Sequence, residues 1–328
     1  MNSSMNILIL SVGTKCKLVE YFKNEGAFDK IVTTDCAEHV PAAYISDMHY
    51  LVPPIKSADY RTTINEICEK ENINVILPLY EDELELIATY KSEFEDRGIL
   101  AVISDAAIIR MCRDKYALYK NLVKHGISCI DTYDFDTEQD LISRLPLPVI
   151  VKQRKGAGSV GMFKICDESL MDYLTKKEKN LIVQPYIEAE EYGIDVYVDL
   201  IGGHIVEIFA KKKLRMRDGE TEISRAIKDD ALFELVEKIV RVMNFAGPID
   251  MDIFKYNGEY YLLEINPRFG GGYPHAYECG VNFMKYIANN AQGKMNPPQI
   301  GNYKTGNILL KYKEVMLLNE EESNEKIS

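Results

Sequence analysis

Short apolar runs, many of them β-branched, alternate with segments of helical periodicity through the first third of the chain. Residues 7–10, 31–33, 75–77 and 100–103 read as strands, and residues 18–23, 60–71 and 83–90 as the amphipathic helices between them. Strands that are apolar almost throughout, joined by helices, predict a parallel sheet covered on both faces. A second block, 114–188, opens with a helix over 115–125. It runs into a strand over 148–152 that ends in Lys152 and then a glycine-rich stretch containing Gly156, Gly158 and Gly161. The third block, 194–313, carries long alternating runs at 192–200, 204–210, 249–256 and 259–265, the pattern of an antiparallel sheet with one covered face.

Composition narrows the classes. The chain has 328 residues, 46% hydrophobic and 27% charged, which excludes intrinsic disorder, a collagen-like fibre and a small disulfide scaffold. A net charge of −12 disfavours sequence-independent nucleic-acid binding, although a local basic cluster can still hold a compact anion. Seven cysteines stand scattered and never at C-x-x-C spacing, so reduced thiols are expected rather than a zinc site. No basic leader precedes residues 7–12 and no run of 18 apolar residues occurs, so neither export nor membrane spanning is expected and the cytoplasm is the expected location. The polar segment 319–328 is expected to be a disordered tail.

Candidate chemistry sits in three places. Closely spaced glycines beyond Lys152 can bring successive backbone N–H groups up to an anion, although a tight hairpin between Val151 and Phe163 would use the same glycines. Neither G-x-G-x-x-G nor the Gly-Lys-Ser/Thr ending of a P-loop is present, which argues against a dinucleotide fingerprint and a Walker-type site. Downstream, Gly258 makes a hairpin of two alternating runs, so that Asp252 and Glu264 can lie on neighbouring strands with side chains on a shared face. Like charges so opposed repel unless a cation or proton lies between them. With the Asn266 amide oxygen they make an all-oxygen set suited to Mg²⁺; outward polar positions on a half-solvated strand are the plainer reading. The stretch 211–217 holds five basic residues, usually a solvated strand end. The five histidines show no ligand or triad spacing and read as structural.

Taken in order, these residues carry a resemblance. Asp114-Lys115, Val151-Lys152, the glycine loop, Val183-Gln184-Pro185-Tyr186-Ile187, Glu191, Asp252 and Glu264-Ile265-Asn266-Pro267-Arg268 resemble the ATP-grasp superfamily. The run Asn266 to Pro274 is similar to the ligase domains of the carbamoyl-phosphate synthetase large subunit and its stand-alone relatives. The resemblance implies an α/β chain with an α+β C-terminal part: an N-terminal Rossmann-like parallel sheet (1–110), then a two-subdomain ATP-grasp fold divided into 111–188 and 189–318. It implies that Lys115, Lys152 and the loop residues Gly156, Gly158, Ser159 and Gly161 meet nucleotide phosphates. Gln184 and the backbone of Tyr186 and Ile187 would face adenine, and Glu191 would bind the ribose. Asp252, Glu264 and Asn266 would hold one or two Mg²⁺ ions, for which Mn²⁺ can substitute. Arg268 would contact the transferred phosphoryl group, with Arg215 and Arg217 as further candidates because a guanidinium suits phosphate or carboxylate. The implied activity is an ATP-dependent carboxylate–amine ligase that forms an amide or peptide bond through an acyl phosphate. It would act on small molecules, without nucleic acid or membrane, and a homodimer is compatible. A carbamoyl-phosphate-type or kinase-like phosphotransferase and a non-catalytic nucleotide-binding module are the alternatives.

Overall fold

The computed structural model describes residues 4–138, 141–156, 161–170, 174, 178–217 and 219–319. Its first sheet contains β1 (Asn6–Leu10), β2 (Lys30–Asp35), β3 (Met48–Leu51), β4 (Ile73–Pro78) and β5 (Leu100–Ala101). Their order is β3-β2-β1-β4-β5, every pairing parallel. Alternation along β1 explains the two covered faces. Ile7 and Ile9 enter one core with Val19 and Phe22 of the helix Cys16–Glu25, while Leu8 and Leu10 enter another with Ile64 and Ile67 of the helix Tyr60–Lys70. The expected strand over 100–103 is shorter than its apolar run, and β3, only four residues long, was not foreseen.

Two antiparallel sheets follow. The smaller has β6 (Tyr133–Asp134), β7 (Val149–Gln153), β8 (Phe163–Ile165) and β9 (Leu181–Pro185) in the order β6-β9-β7-β8. The larger has β10 (Glu190–Val198), β11 (Ile205–Arg217), β12 (Glu220–Ile227), β13 (Gly247–Tyr256), β14 (Glu259–Asn266) and β15 (Ile308–Leu310), in the order β14-β13-β10-β11-β12-β15. One face is covered by the helix Asp230–Met243, whose Leu232, Val236, Ile239 and Val240 pack on Ile194, Val196 and Ile208. That helix is closed by Asp229, which accepts from Leu232 N, and by Asn244 at φ 56°. The opposite face shares a continuous core with the first sheet, since Tyr197 and Phe209 cluster with Phe22 and Phe283. This common core fixes the carboxyl ends of β1 and β4 against the end of β14.

Asn257 (φ 51°) and Gly258 (φ 84°) both adopt positive φ between β13 and β14, the two-residue turn that matches strand twist. The cysteines are unpaired, and among the described residues no helix is long and apolar enough to cross a membrane. Residues 320–328 of the expected tail lie outside the described residues.

Candidate functional site

Asp252 on β13 and Glu264 on β14 are register partners, and each side chain retains 25% exposure. The repulsion expected between them is met by lysines, which the sequence reading did not anticipate. Lys213 on β11 donates to Asp252 Oδ1 at 2.6 Å and to Glu191 Oε1 at 2.7 Å, crossing over β10. Glu264 Oε1 lies 3.6 Å from Lys115 Nζ. Burial draws the Lys213 pKa down, but Asp252 and Glu191 outweigh it and hold this ammonium above the ordinary lysine value. Burial drives the Asp252 carboxyl above its usual range, opposed by Lys213 and reinforced by Asp250.

Lys115 begins the helix Lys115–Lys124, and its place is fixed from both sides. Asp114 caps that helix by accepting from Ala117 N at 3.0 Å, and it receives both Nε and Nη2 of Arg154 at 2.7 and 2.8 Å. Lys115 N donates to Arg154 O at 3.1 Å, and its ammonium donates to Gly156 O. The strand end and the helix start are thereby clamped together at the mouth of the glycine loop. β7 and β8 pair directly, Val151 opposite Phe163, so the loop connects a hairpin. Gly158 and Ser159 lie outside the described residues; Gly156 and Gly161 (φ 70°) bound the connection.

Lys152 is buried on β7 and, among the described residues, its ammonium has no hydrogen bond or ion pair. Burial lowers its pKa to about 8, Lys115 adds to the fall, and Glu264 and Asp252 resist it. A buried ammonium without a direct partner costs free energy in the empty protein. A cleft lined by Glu81, Lys115, Gly156, Glu264, Asn266 and Pro267 opens at this point.

At the other end of the small sheet, the buried Gln184 side chain donates from Nε2 to Thr132 Oγ1 at 2.8 Å. Tyr186 N donates to Pro148 O at 3.2 Å, and the Lys164 ammonium sits 3.4 Å from the Tyr186 ring centroid. Ile187 follows in the connection to β10.

Arg268 donates to Glu81 Oε1 at 3.3 Å and to Phe269 O at 3.0 Å, joining the end of β14 to the segment after β4. Arg215 and Arg217 stand away from this group. Both are more than half exposed at the far end of β11, where they pair with Glu222. Lys213 and Lys211, two and four residues before Arg215, take the buried positions instead. Lys211 forms a buried ion pair with Asp195. Next to it, Asp250 accepts from Asn266 Nδ2 at 3.2 Å, leaving the Asn266 oxygen as that amide's remaining acceptor.

Glycines let the loop after β14 close on this layer. A Cβ at Gly270 would come within 2.3 Å of Asp250 Oδ1, and one at Gly272 within 2.7 Å of Lys211 Cε. Gly270→Ala is therefore expected to cost about 1–3 kcal/mol of stability, read as a lowered denaturation midpoint, because it must displace the carboxylate that orients Asn266. An unchanged midpoint would show that the loop tolerates the added methyl.

Among the described residues no three or more His, Cys, Asp or Glu gather as a metal cage. Glu264 and Asn266 line the cleft, and the carboxylates of Glu264 and its register partner Asp252 are met by Lys115 and Lys213.

The comparisons agree with this architecture. The model for PylC-like N-terminal domains matches residues 7–103, and the model for ATP-grasp in the biosynthetic pathway with Ter operon matches residues 177–314. D-alanine–D-alanine ligase of Sulfurimonas denitrificans is 25% identical over 184 residues, 50% of this chain and 53% of that protein. The carbamoyl phosphate synthase large chain of Lachnoclostridium phytofermentans is 26% identical over 158 residues, 43% of this chain and 15% of that one. The chain thus spans about half the length of the first relative and a small part of the second. In three dimensions, the biotin carboxylase domain of Hydrogenobacter thermophilus 2-oxoglutarate carboxylase, solved with MgADP and bicarbonate, superposes with a TM-score of 0.76 at 15% identity. The match covers 93% of this chain and 74% of that one. With a PylC-like first sheet, an ATP-grasp match over the large sheet and a fold shared along nearly its whole length, the chain is an ATP-grasp relative of the carbamoyl phosphate synthase large chain.

Proposed function

We propose that the chain is an ATP-dependent carboxylate–amine ligase that works through an acyl phosphate. The observation that carries this reading is the gathering of Lys115, Lys152 and Lys213 around the opposed carboxylates Asp252 and Glu264. Three ammonium groups from three different elements suit a polyanionic ligand, and the carboxylates suit the cations that travel with it. An incomplete oxygen set fits Mg²⁺, which keeps few protein ligands and completes its shell with water and substrate phosphates. Asp252, Glu264 and the Asn266 oxygen would hold one or two such ions, and bound Mg²⁺ would supply charge neutralisation on the phosphates.

The chain's own residues then position and exclude. Lys115 and Lys152 bind the phosphate oxygens, with Gly156 and Gly161 flanking them. Lys213 steadies Glu191, which accepts from the ribose hydroxyls, while Gln184 and the backbone at Tyr186 and Ile187 border the base. Held in line, a substrate carboxylate oxygen bonds to the γ-phosphorus as the bond to ADP breaks. The amine then attacks the acyl carbon, phosphate departs, and the amine loses a proton. Arg268 stabilises the charge on the moving phosphoryl group. Alignment of this kind supplies about 7–11 kcal/mol of barrier lowering without a protein nucleophile. Closure of the cleft protects the acyl phosphate from water.

D-alanine–D-alanine ligase among the relatives supports ligation as the reaction class. The ribose assignment is checked by calorimetry with MgADP: Glu191→Ala should weaken binding about tenfold, the value of a lost charged hydrogen bond. Equal affinity would remove Glu191 from the nucleotide site. The reaction class is tested by screening pooled carboxylates and amines for ADP formation that needs both, with mass spectrometry of the product.

A further inference from the structure

The first sheet reverses its strand order at β1, which has β2 on one side and β4 on the other, both parallel to it. In open parallel sheets, ligands gather outside the carboxyl ends of the strands at such a reversal. Residues 11–15 after β1 and 79–83 after β4 bound this crevice. The Arg268–Glu81 contact closes it against the end of β14.

Lys15 sits in this junction. Its side chain is partly buried and, among the described residues, its ammonium makes no hydrogen bond or ion pair. Its charged surroundings come from the other sheet: Arg268, Glu220, Lys311 and Asp250. Burial first, then Arg268 and Lys311, press its pKa below the ordinary lysine value, while Glu220 and Asp250 hold it up. Both of those carboxylates are already engaged. Glu220 pairs with Lys311 at 3.1 Å, and Asp250 accepts from Asn266. A partly buried cation facing two others, with its nearby carboxylates committed elsewhere, lowers the stability of the empty protein and has no structural task to offset that.

We propose that Lys15 is a specificity-determining residue, the counter-ion for a carboxylate group of the substrate bound between the β1 turn and the loop after β14. The first sheet is then part of the reaction site and not only its scaffold. The identity of the anion as the substrate's carboxylate rests on the ligase reading; the anion site itself does not. Lys15 lies on the Arg268 side of the cleft, where a carboxylate must wait before it meets the phosphoryl group. An oxyanion can bridge Lys15 and Arg268 because their mutual repulsion falls when it enters.

The test is the melting temperature of the full chain in succinate, in inorganic phosphate and in chloride at equal ionic strength, for wild type, Lys15→Met and Lys15→Arg. Succinate should raise the wild-type and Lys15→Arg values by about 2 °C or more over chloride and leave Lys15→Met unmoved. Equal shifts in wild type and Lys15→Met, or none beyond chloride in wild type, would overturn the proposal. A Lys15-dependent shift in phosphate but not in succinate would overturn the carboxylate assignment. MgADP titration on the same samples separates the two readings. Wild type and Lys15→Met should bind MgADP alike. A succinate effect through Lys15 without MgADP binding would leave the anion site and remove the ligase reading, and MgADP binding without a succinate effect would leave the ligase reading and remove the anion site.

Discussion

Replacing Glu264 with glutamine should reduce Mg²⁺-dependent ADP formation at least about a hundredfold while leaving the folded protein intact. Size and hydrogen-bonding shape are kept, so the change removes only charge. In the empty protein that charge faces Lys115 at 3.6 Å and steadies Lys152 from a distance. Because Glu264 is a quarter exposed, the stability lost with it should stay within about 1 kcal/mol. If the carboxylates had faced each other without lysines, the same substitution would have stabilised the protein; the Lys213 and Lys115 contacts remove that expectation. Melting temperature and ADP formation measured on one preparation decide the matter. Near-normal turnover in a folded Glu264→Gln protein would mean that this carboxylate holds no catalytic cation.

Lys152→Met should move stability and binding in opposite directions. A fall in pKa from 10.5 to about 8 corresponds to a penalty of about 3 kcal/mol on the charged form in the folded state. Methionine fills the same volume without that penalty, so the unliganded variant should melt higher at neutral pH. Nucleotide binding should nearly vanish, since the phosphates lose a desolvated charge. The pH dependence has a definite sign. Below pH 8 the lysine is protonated both folded and unfolded, and the whole penalty applies. Between about 8 and 10.5 the folded protein sheds a proton that the unfolded chain keeps, so this group makes wild-type stability rise with pH through that window. The Lys152→Met protein should lack that rise. Denaturant titrations across the window check it, and a variant less stable than wild type at neutral pH would show that Lys152 is already compensated.

The first sheet was legible because its strands are apolar on both faces and its helices are periodic, so each of β1, β2 and β4 stands out from the intervening sequence. Short β3 gave no such signal, since four residues on a sheet edge need bury little. In the large sheet, alternation marked β10, β11, β13 and β14, and Asn257-Gly258 set their pairing as far as Ile253 opposite Leu262; the register shift that then brings Asp252 opposite Glu264 left no mark in the local pattern. Tertiary partners were harder to see. Lys211, Lys213, Arg215 and Arg217 occur at alternating positions in the sequence, so periodicity gave the arginines as good a case as the lysines. What separates them is where β11 leaves the body of the protein, together with the register shifts after Lys213, and neither is written in local pattern. Asp250 looked like one more alternating polar residue until the glycines of the loop after β14 were seen to close over it. Lys15, in a turn without a known motif, carried no signal except a charge beside Gly13 at the end of the first strand.

Activation of a carboxylate by phosphoryl transfer is the step on which the proposed ligation rests. The direct measurement uses carboxylates labelled with oxygen-18, pooled with amines, MgATP and the full chain, followed by mass analysis of the released phosphate. Acyl phosphate chemistry predicts that phosphate formed with ADP carries one labelled oxygen from the carboxylate, because the carbon–oxygen bond breaks when the amine attacks. Phosphate with no label despite ADP formation, or no carboxylate-dependent ADP formation from any member of the pool, would contradict it.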